Sequence, residues 1–180
     1  MKPHSNPLRL VVALFFVWIL GSLTGCAFTP RAVDGQELKP NQGLLVLKIR
    51  SNVNARLGFL DFAGESTFGN RFAENMLGPK GFVFATPEER YVVIAFDAGE
   101  YMWSKIEVYP MFAWLHASNK FKVAPNAITY IGDIRVNVLD RRFSLKVSDR
   151  EHAMREYLAS TYPEYVKSMP IVKMLAELRL

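Results

Sequence analysis

The chain has 180 residues, with 22 lysines and arginines against 17 aspartates and glutamates, and a formal net charge of +5. The two signs of charge are interleaved without a long basic run, which argues against a nucleic-acid partner. The single cysteine, Cys26, excludes an internal disulfide bond.

The first 25 residues have the form of an export signal. Lys2 and Arg9 precede an apolar run over residues 10–20, and small residues then lead to Cys26. The apolar run is shorter than the roughly 20 residues that cross a bilayer as a helix. A transmembrane anchor is therefore the weaker alternative, and secretion without lipidation is weaker still because it leaves Cys26 without a role.

The residues before the cysteine carry a more specific signal. Leu23-Thr24-Gly25-Cys26 resembles the cleavage box of bacterial lipoprotein signal peptides. The resemblance implies cleavage before Cys26 and attachment of lipid to Cys26. Because Ala27 rather than aspartate follows, it also implies an outer-membrane location facing the periplasm.

The mature chain is expected to contain a tether and one domain. Residues 26–43 hold two prolines and two glycines without a sustained apolar period, which predicts a flexible tether. Residues 44–180 have the length of one compact domain.

Alternating apolar and polar residues predict about seven or eight short strands in this domain. The predicted strands are residues 44–49, 57–62, 82–85, 91–96, 101–109, 121–123, 127–138 and 143–147. The unbroken apolar run at 91–96 is typical of a central strand. Gly132 indicates a bulge or a close backbone approach, and residues 63–81 are expected to form a loop, with a short helix over 70–77 as an alternative.

The period changes after the last strand. Ser148 and Glu151 have the spacing of a capping box, which predicts a helix over residues 149–161 packed on the sheet. A second helix is expected over residues 171–180. The fold class that follows is an antiparallel β-sandwich closed by a C-terminal helix or helices.

Part of this region is similar to a known group of proteins. Ala98-Gly99-Glu100-Tyr101, the segment 123–134 and Tyr162-Pro163 resemble small, mostly uncharacterised bacterial lipoproteins with a transthyretin-like or carboxypeptidase-regulatory-like β-sandwich domain. The chain departs at Asn126-Ala127, where the group has Gly-Lys, but asparagine also tolerates a left-handed turn. The resemblance implies a fold and an envelope location, and it transfers no catalytic residue.

The sequence offers little support for catalysis. It has no Gly-x-Ser-x-Gly motif, its only cysteine is assigned to lipid, and His116 and His152 lack the spacing of a metal site. We therefore expect neither metal nor cofactor. The alternative is an envelope glycan hydrolase with turn and strand carboxylates. Its candidate residues are Glu88, Glu89, Asp97, Glu100 and Asp133.

Aromatic residues provide the main candidate for a binding surface. If Met102, Ile106 and Val108 face the core, the opposite face of the strand presents its aromatic side chains, and the following connection adds two more. The predicted platform consists of Tyr101, Trp103, Tyr109, Phe112 and Trp114. It would bind sugars or a protein, unless the C-terminal helix covers it.

Together these features favour a non-catalytic binding or scaffolding module of the cell envelope. Its expected partners are the membrane, through lipidated Cys26, and an envelope protein or glycan.

Overall fold

A computed structural model describes residues 31–62, 79–116 and 118–179. The predicted signal segment 1–25, its cleavage box and Cys26 lie outside the described residues, as does most of the predicted loop at 63–81. The described residues form ten strands and two helices. The strands are β1 (Gln42–Ser51), β2 (Ala55–Asp61), β3 (Gly81–Ala85), β4 (Arg90–Asp97), β5 (Gly99–Val108), β6 (Met111–Trp114), β7 (Lys120–Val123), β8 (Ile128–Leu139), β9 (Arg142–Ser148) and β10 (Ile171–Lys173). The helices are α1 (Glu151–Thr161) and α2 (Pro163–Ser168).

The strands form two five-stranded sheets that share one apolar core, which confirms the predicted β-sandwich. In sheet A the order is β4, β1, β8, and then β9 and β10 on successive parts of the same edge of β8. In sheet B the order is β3, β2, β5, with β6 and β7 sharing the far edge of β5. Sheet A is mixed rather than purely antiparallel, since β8 runs parallel to both β1 and β10.

Strand β1 is buried on both faces. Leu45 and Leu47 belong to the core between the sheets, whereas Leu44 and Val46 lie in a second apolar cluster beneath the helices. The strand predicted to be central, residues 91–96, instead belongs to β4 at the end of the sheet order. Its apolar run arises because it too is covered on both faces, which does not require a central position.

The helices cover only part of the outer face of sheet A. Met154 and Leu158 of α1 and Tyr165 of α2 pack in one cluster with Leu44 and Ile128. The predicted packing of a C-terminal helix on the sheet is therefore present in the structure.

The start of α1 differs from the prediction. Ser148 is the last residue of β9, where it is paired with Asp133, and so it does not cap the helix. The N-cap residue is Arg150, which makes no side-chain capping bond, and Oδ1 of Asp149 before it accepts a hydrogen bond from the backbone N–H of Glu151 at 3.0 Å. The predicted capping box is wrong because sheet pairing extends one residue further than the alternation suggests.

The second predicted helix, at 171–180, is also wrong. Ile171–Lys173 form β10, parallel to the start of β8. Beyond it, the backbone N–H groups of Met174 and Ala176 donate to the carbonyls of Tyr130 and Ile131, each at 2.9 Å. The segment remains extended because β9 leaves this part of the edge of β8 unpaired, and the edge offers backbone partners.

Most of the predicted tether, residues 31–43, belongs to the folded unit. Arg31 forms a β-bridge with Ile94, and Ala32 is buried. The carboxylate of Asp34 accepts hydrogen bonds from the backbone N–H groups of Glu164 and Tyr165, both at 3.1 Å. The first turn of α2 needs such an acceptor because its N–H groups lack partners within the helix. The domain thus begins by residue 31 rather than at residue 44.

Gly132 forms the bulge that its position predicts. Val46 is opposite Tyr130 and Lys48 is opposite Asp133, so β8 contains one more residue than β1 between these pairs. Gly132 has φ +105°, and a Cβ atom there would lie 2.6 Å from Cγ1 of Val147. Both the backbone angle and the close contact require glycine.

Candidate functional site

The predicted aromatic platform is divided between the core and the surface. Tyr101 and Trp103 are buried between the sheets, where both pack against Phe121, with ring centroids 5.3 and 4.7 Å away, respectively. They are therefore core residues, and their assignment to a binding surface is corrected. The covering layer is the opposite sheet rather than the C-terminal helix.

A bulge in β5 explains the error. Gly58 of β2 is opposite Lys105 and Phe59 is opposite Trp103, so Ser104 is an extra residue in β5. The extra residue shifts the alternation, and Trp103 and Ile106 both point into the core. The prediction assumed unbroken alternation from residue 101 to residue 109.

The other members of the platform lie at the surface. Tyr109 is 99% exposed and Phe112 58% exposed. Phe84, which sequence reasoning missed, is 40% exposed on β3 and lines the same groove of about 370 Å³. We call this the aromatic groove; it is lined by Asn54, Ala55, Arg56, Phe84, Glu107, Tyr109, Pro110, Met111 and Phe112. The alternation of β3, with Val83 and Ala85 inside, was the available signal for Phe84.

Trp114 adjoins the aromatic groove without lining it. Its ring is nearly perpendicular to that of Phe112, with centroids 5.7 Å apart, and it is partly buried. Edge-to-face contact of this kind restricts the orientation of Phe112. Phe112 and Trp114 therefore support each other at this side of the groove.

Charged groups at the groove form ion pairs with one another. Glu107 forms ion pairs with Arg56 and with Lys105, whose Nζ lies 2.8 Å from the carboxylate. Burial raises the pKa of Glu107, but the hydrogen bonds from Lys105 and Arg56 outweigh it and hold the pKa below its usual range. The guanidinium of Arg56 also lies over the ring of Phe82 at 4.5 Å. The groove consequently presents an apolar surface beside an ion-paired cluster of two cations and one carboxylate.

The predicted hydrolase carboxylates do not form one constellation. Asp97 accepts a hydrogen bond from the side chain of Gln42, and Glu100 lies 3.6 Å from Lys122. Glu88 is exposed in the turn before β4. Only two of the five, Glu89 and Asp133, line a common depression on sheet A.

The environments of those two carboxylates differ. A hydrogen bond from Lys48, together with its charge, holds the pKa of Glu89 below its usual range. Burial raises the pKa of Asp133, although a hydrogen bond from the Tyr130 hydroxyl at 2.7 Å opposes the rise. Opposed shifts are what an acid and base pair requires.

The two histidines are placed apart. His116 Nδ1 is 2.9 Å from the hydroxyl of Ser118 in a loop, and His152 lies on the exposed side of α1, 3.6 Å from Glu156. Within the described ranges, no group of three or more histidine, cysteine, aspartate or glutamate side chains could hold a metal ion. In the same part of the chain, no helix has the length and apolar character needed to span a bilayer.

Comparison with protein-family models, with curated proteins and with solved structures finds no match to this chain. The resemblance to transthyretin-like lipoproteins stays a prediction.

Proposed function

We propose that this chain is an exported, lipid-anchored module of the bacterial cell envelope that binds another envelope protein through the aromatic groove, without catalysis. The anchor part of the proposal rests on Leu23-Thr24-Gly25-Cys26 and the preceding apolar run. The binding part rests on the groove.

The observation that carries the binding proposal is the exposure of Tyr109, Phe112 and Phe84 in one groove. Single exposed apolar side chains are ordinary, but several around one concavity indicate an interaction site. Aromatic side chains gain most from being covered because each removes a large apolar area from water.

The chemistry of the groove favours a protein segment over a glycan. A sugar site needs several polar groups placed around its aromatic rings. Here Met111 and Pro110 join the aromatics, and the adjacent Glu107 is already engaged by Arg56 and Lys105. An apolar side chain of a partner would fill such a groove without leaving polar groups unpaired.

The position of the groove suits a module held at a membrane. Cys26 is five residues from Arg31, so a lipid on Cys26 would hold the folded unit within about 18 Å of the anchor. The groove is next to the end of β1, where Ser51 donates to the carbonyl of Thr86, whereas Gln42 at the start of β1 pairs with Asp97. At Arg31 the chain runs antiparallel to β4, so its N-terminal direction is toward the Asp97 end. The groove is therefore at the other end of β1 from Asp97, toward which the chain at Arg31 points.

The anchor is tested by replacing Cys26. The proposal expects the wild-type chain to fractionate with membranes and to yield an N-terminal peptide that begins with lipidated Cys26. Cys26→Ala should keep its signal segment and lose the lipid. Mass spectrometry that finds an unmodified Cys26 or a retained Met1 in the mature wild-type chain contradicts this part.

The groove is tested by photocrosslinking in cells. A crosslinking amino acid at position 109 or 112 should capture the same protein, and Phe84→Ser should reduce that capture. Position 139 is the matched control, because Leu139 is 72% exposed but lies on β8 of the other sheet. Equal capture from position 139, or capture of glycan from positions 109 and 112, rules out the proposed protein partner.

A second candidate function, an envelope glycan hydrolase, is supported by one observation. Glu89 and Asp133 line the same depression and have oppositely shifted pKa values. In this mechanism Asp133 would be the acid and Glu89 the nucleophile or base. Purified chain should then release soluble fragments from cell-wall glycan, and Asp133→Asn should abolish the release while the fold is retained.

A further inference from the structure

A row of three cations crosses the outer face of sheet A. Arg50 of β1 is paired with Arg135 of β8, and Arg135 is paired with Lys146 of β9. All three side chains are exposed. Because neighbouring strands are about 4.8 Å apart, these like charges stand side by side.

Such a row opposes folding. Like charges directly opposite each other on neighbouring strands are destabilising. Among the described residues, none of Arg50, Arg135 and Lys146 forms an ion pair within 4.0 Å. The carboxylate of Glu89 offsets part of this repulsion, since the charges of Arg50 and Arg135 both lower its pKa. One carboxylate that is already paired with Lys48 leaves most of the charge of the row for an external anion.

The carboxylates nearby are already engaged. Glu89 is 2.8 Å from Nζ of Lys48, and Asp133 accepts the hydroxyl of Tyr130. The two carboxylates therefore accept their direct hydrogen bonds from Lys48 and Tyr130, and Arg50 and Arg135 act on Glu89 only through their charge.

The row opens into a concavity of about 300 Å³, which we call the basic depression. It is lined by Lys48, Ile49, Arg50, Glu89, Asp133, Ile134, Arg135, Lys146, Ser148, Arg150 and Ala153. Five of these side chains are cationic and two are carboxylates. Arg150, at the start of α1, gives the depression a fourth wall, so that cations approach it from three strands and a helix.

We infer that the basic depression binds a phosphoryl group, carried either by a soluble phosphate compound or by a lipid headgroup. Guanidinium groups donate paired hydrogen bonds to phosphate oxygens, and Arg50 and Arg135 present two such groups side by side. Lys146 adds a point charge, and the hydroxyl of Ser148 adds a donor.

The charge and shape of the site favour a tetrahedral dianion over the alternatives. A single carboxylate supplies one negative charge, too little to compensate three adjacent cations. Nucleic acid needs cations spaced along its backbone. Here the cations form a single short row, with one on each of three neighbouring β-strands. The site also lies on the sheet opposite the aromatic groove, so it is independent of the proposed protein-binding function.

The location favours a soluble source. Glu89 precedes β4, whereas Arg31 is bridged to Ile94, about 17 Å further along that strand at the rise of a β-strand. The chain at Arg31 runs toward the Asp97 end, away from Glu89 and the basic depression, and this direction favours a soluble compound over a headgroup of the anchoring membrane.

The first experiment measures phosphate binding to the purified full chain in non-ionic detergent. Isothermal titration with inorganic phosphate, against potassium chloride of equal ionic strength, should give a saturable signal. Arg135→Gln should weaken binding at least tenfold. Arg142→Gln is the matched control, since it removes the same charge at the other end of β9 and should leave affinity unchanged.

A second measurement separates binding from a structural role. Without phosphate and at low salt, Arg135→Gln should raise the thermal midpoint because it relieves repulsion from Arg50 and Lys146. With phosphate, the wild type should gain stability and the variant should not. A lower midpoint in the variant without phosphate would show that Arg135 has a structural role and overturn the inference.

The two sources are compared with dihexanoyl phosphatidic acid below its micelle concentration. Tighter binding of this lipid than of inorganic phosphate assigns a headgroup, and the reverse assigns a soluble compound; either result supports the site. Failure of both probes to bind, or equal affinity in wild type and Arg135→Gln, overturns it.

Discussion

The outer faces of the two sheets are built from the same alternating strands, yet they differ in what covers them. On sheet A, apolar residues such as Leu44 and Ile128 lie beneath α1 and α2, and the surface becomes cationic from Lys48 onward. On sheet B, the outer face carries exposed rings, among them Phe84 and Phe112. One face thus offers charge and the other offers apolar area.

The helices cover the part of an outer face that is apolar and leave the charged part of the same sheet open. The helices pack where burial of apolar area is favourable, and α1 begins beside Arg150, which lines the basic depression. Both uncovered regions adjoin the end of β1 near Arg50 and Ser51. One end of the sandwich therefore carries both the basic depression and the aromatic groove. Variants of single residues distinguish core positions from surface positions.

The largest effect is expected from Trp103→Ala. Trp103 is fully buried between the sheets, so its truncation should lower the free energy of unfolding by about 3–5 kcal/mol. Urea denaturation monitored by circular dichroism measures the change. Tyr109→Ala removes an exposed ring that the sequence pattern places on the same strand face as Trp103. It should change the free energy of unfolding by no more than about 0.5 kcal/mol. Comparable losses in the two variants would contradict the bulge at Ser104.

Gly132→Ala should have the next largest effect. A side chain at φ +105° is strained and would overlap Val147, so the free energy of unfolding should fall by about 1–3 kcal/mol. Hydrogen exchange should show the loss in β8 and β9 first. Asn126→Gly is the control, because Asn126 is also left-handed at φ 50° but its replacement relieves rather than creates strain.

A smaller loss is expected from Asp34→Ala, which tests whether residues 31–43 are part of the fold. The variant leaves two backbone N–H groups of α2 without their acceptor, at a cost of about 1 kcal/mol. Asp34→Asn retains one acceptor oxygen and should lose less. Limited proteolysis should cut the segment near Asp34 faster in the alanine variant. An unchanged rate of cleavage would indicate that residues 31–43 form a tether that does not pack on the domain.

The smallest effect concerns pH and Asp133 in the basic depression. Because burial raises the pKa of Asp133 in the folded chain, folding favours the neutral acid. That contribution is fully present below the unfolded pKa and is lost as pH rises through the folded pKa. Asp133→Asn should therefore be more stable relative to wild type at pH 7 than at about pH 3, below the ordinary aspartate pKa.

Urea denaturation at both pH values checks the sign of this difference. Glu88→Gln removes a carboxylate from an exposed turn and serves as the control for loss of charge. If the stability of Asp133→Asn relative to wild type is instead greater at low pH than at pH 7, the fold favours ionised Asp133.

Much of the fold was predictable because burial imposes a period on each strand. The β-sandwich, the strand at 127–138, the bulge at Gly132 and the helix near 149–161 all follow from patterns within short segments. The helix expected at 171–180 was wrong, since its apolar spacing also suits an extended segment beside the open edge of β8.

The candidate sites were less predictable because they depend on pairing between distant segments. Trp103 and Tyr109 belong to one alternating pattern, and only the extra residue at Ser104 separates core from surface. Arg50, Arg135 and Lys146 are far apart in sequence, and no local motif indicates that they share a row. The antiparallel prediction likewise missed the parallel pairing of β1 with β8.

By itself, the sequence determined the β-sandwich class and the positions of most strands, because each depends on residues close together in the chain; lipid attachment at Cys26 stays a prediction from a similarly local pattern. Only the tertiary structure decided which aromatics are exposed, where the cations meet and how residues 31–43 join the domain. These features depend on register and sheet order, which are set by contacts between segments that no local pattern specifies.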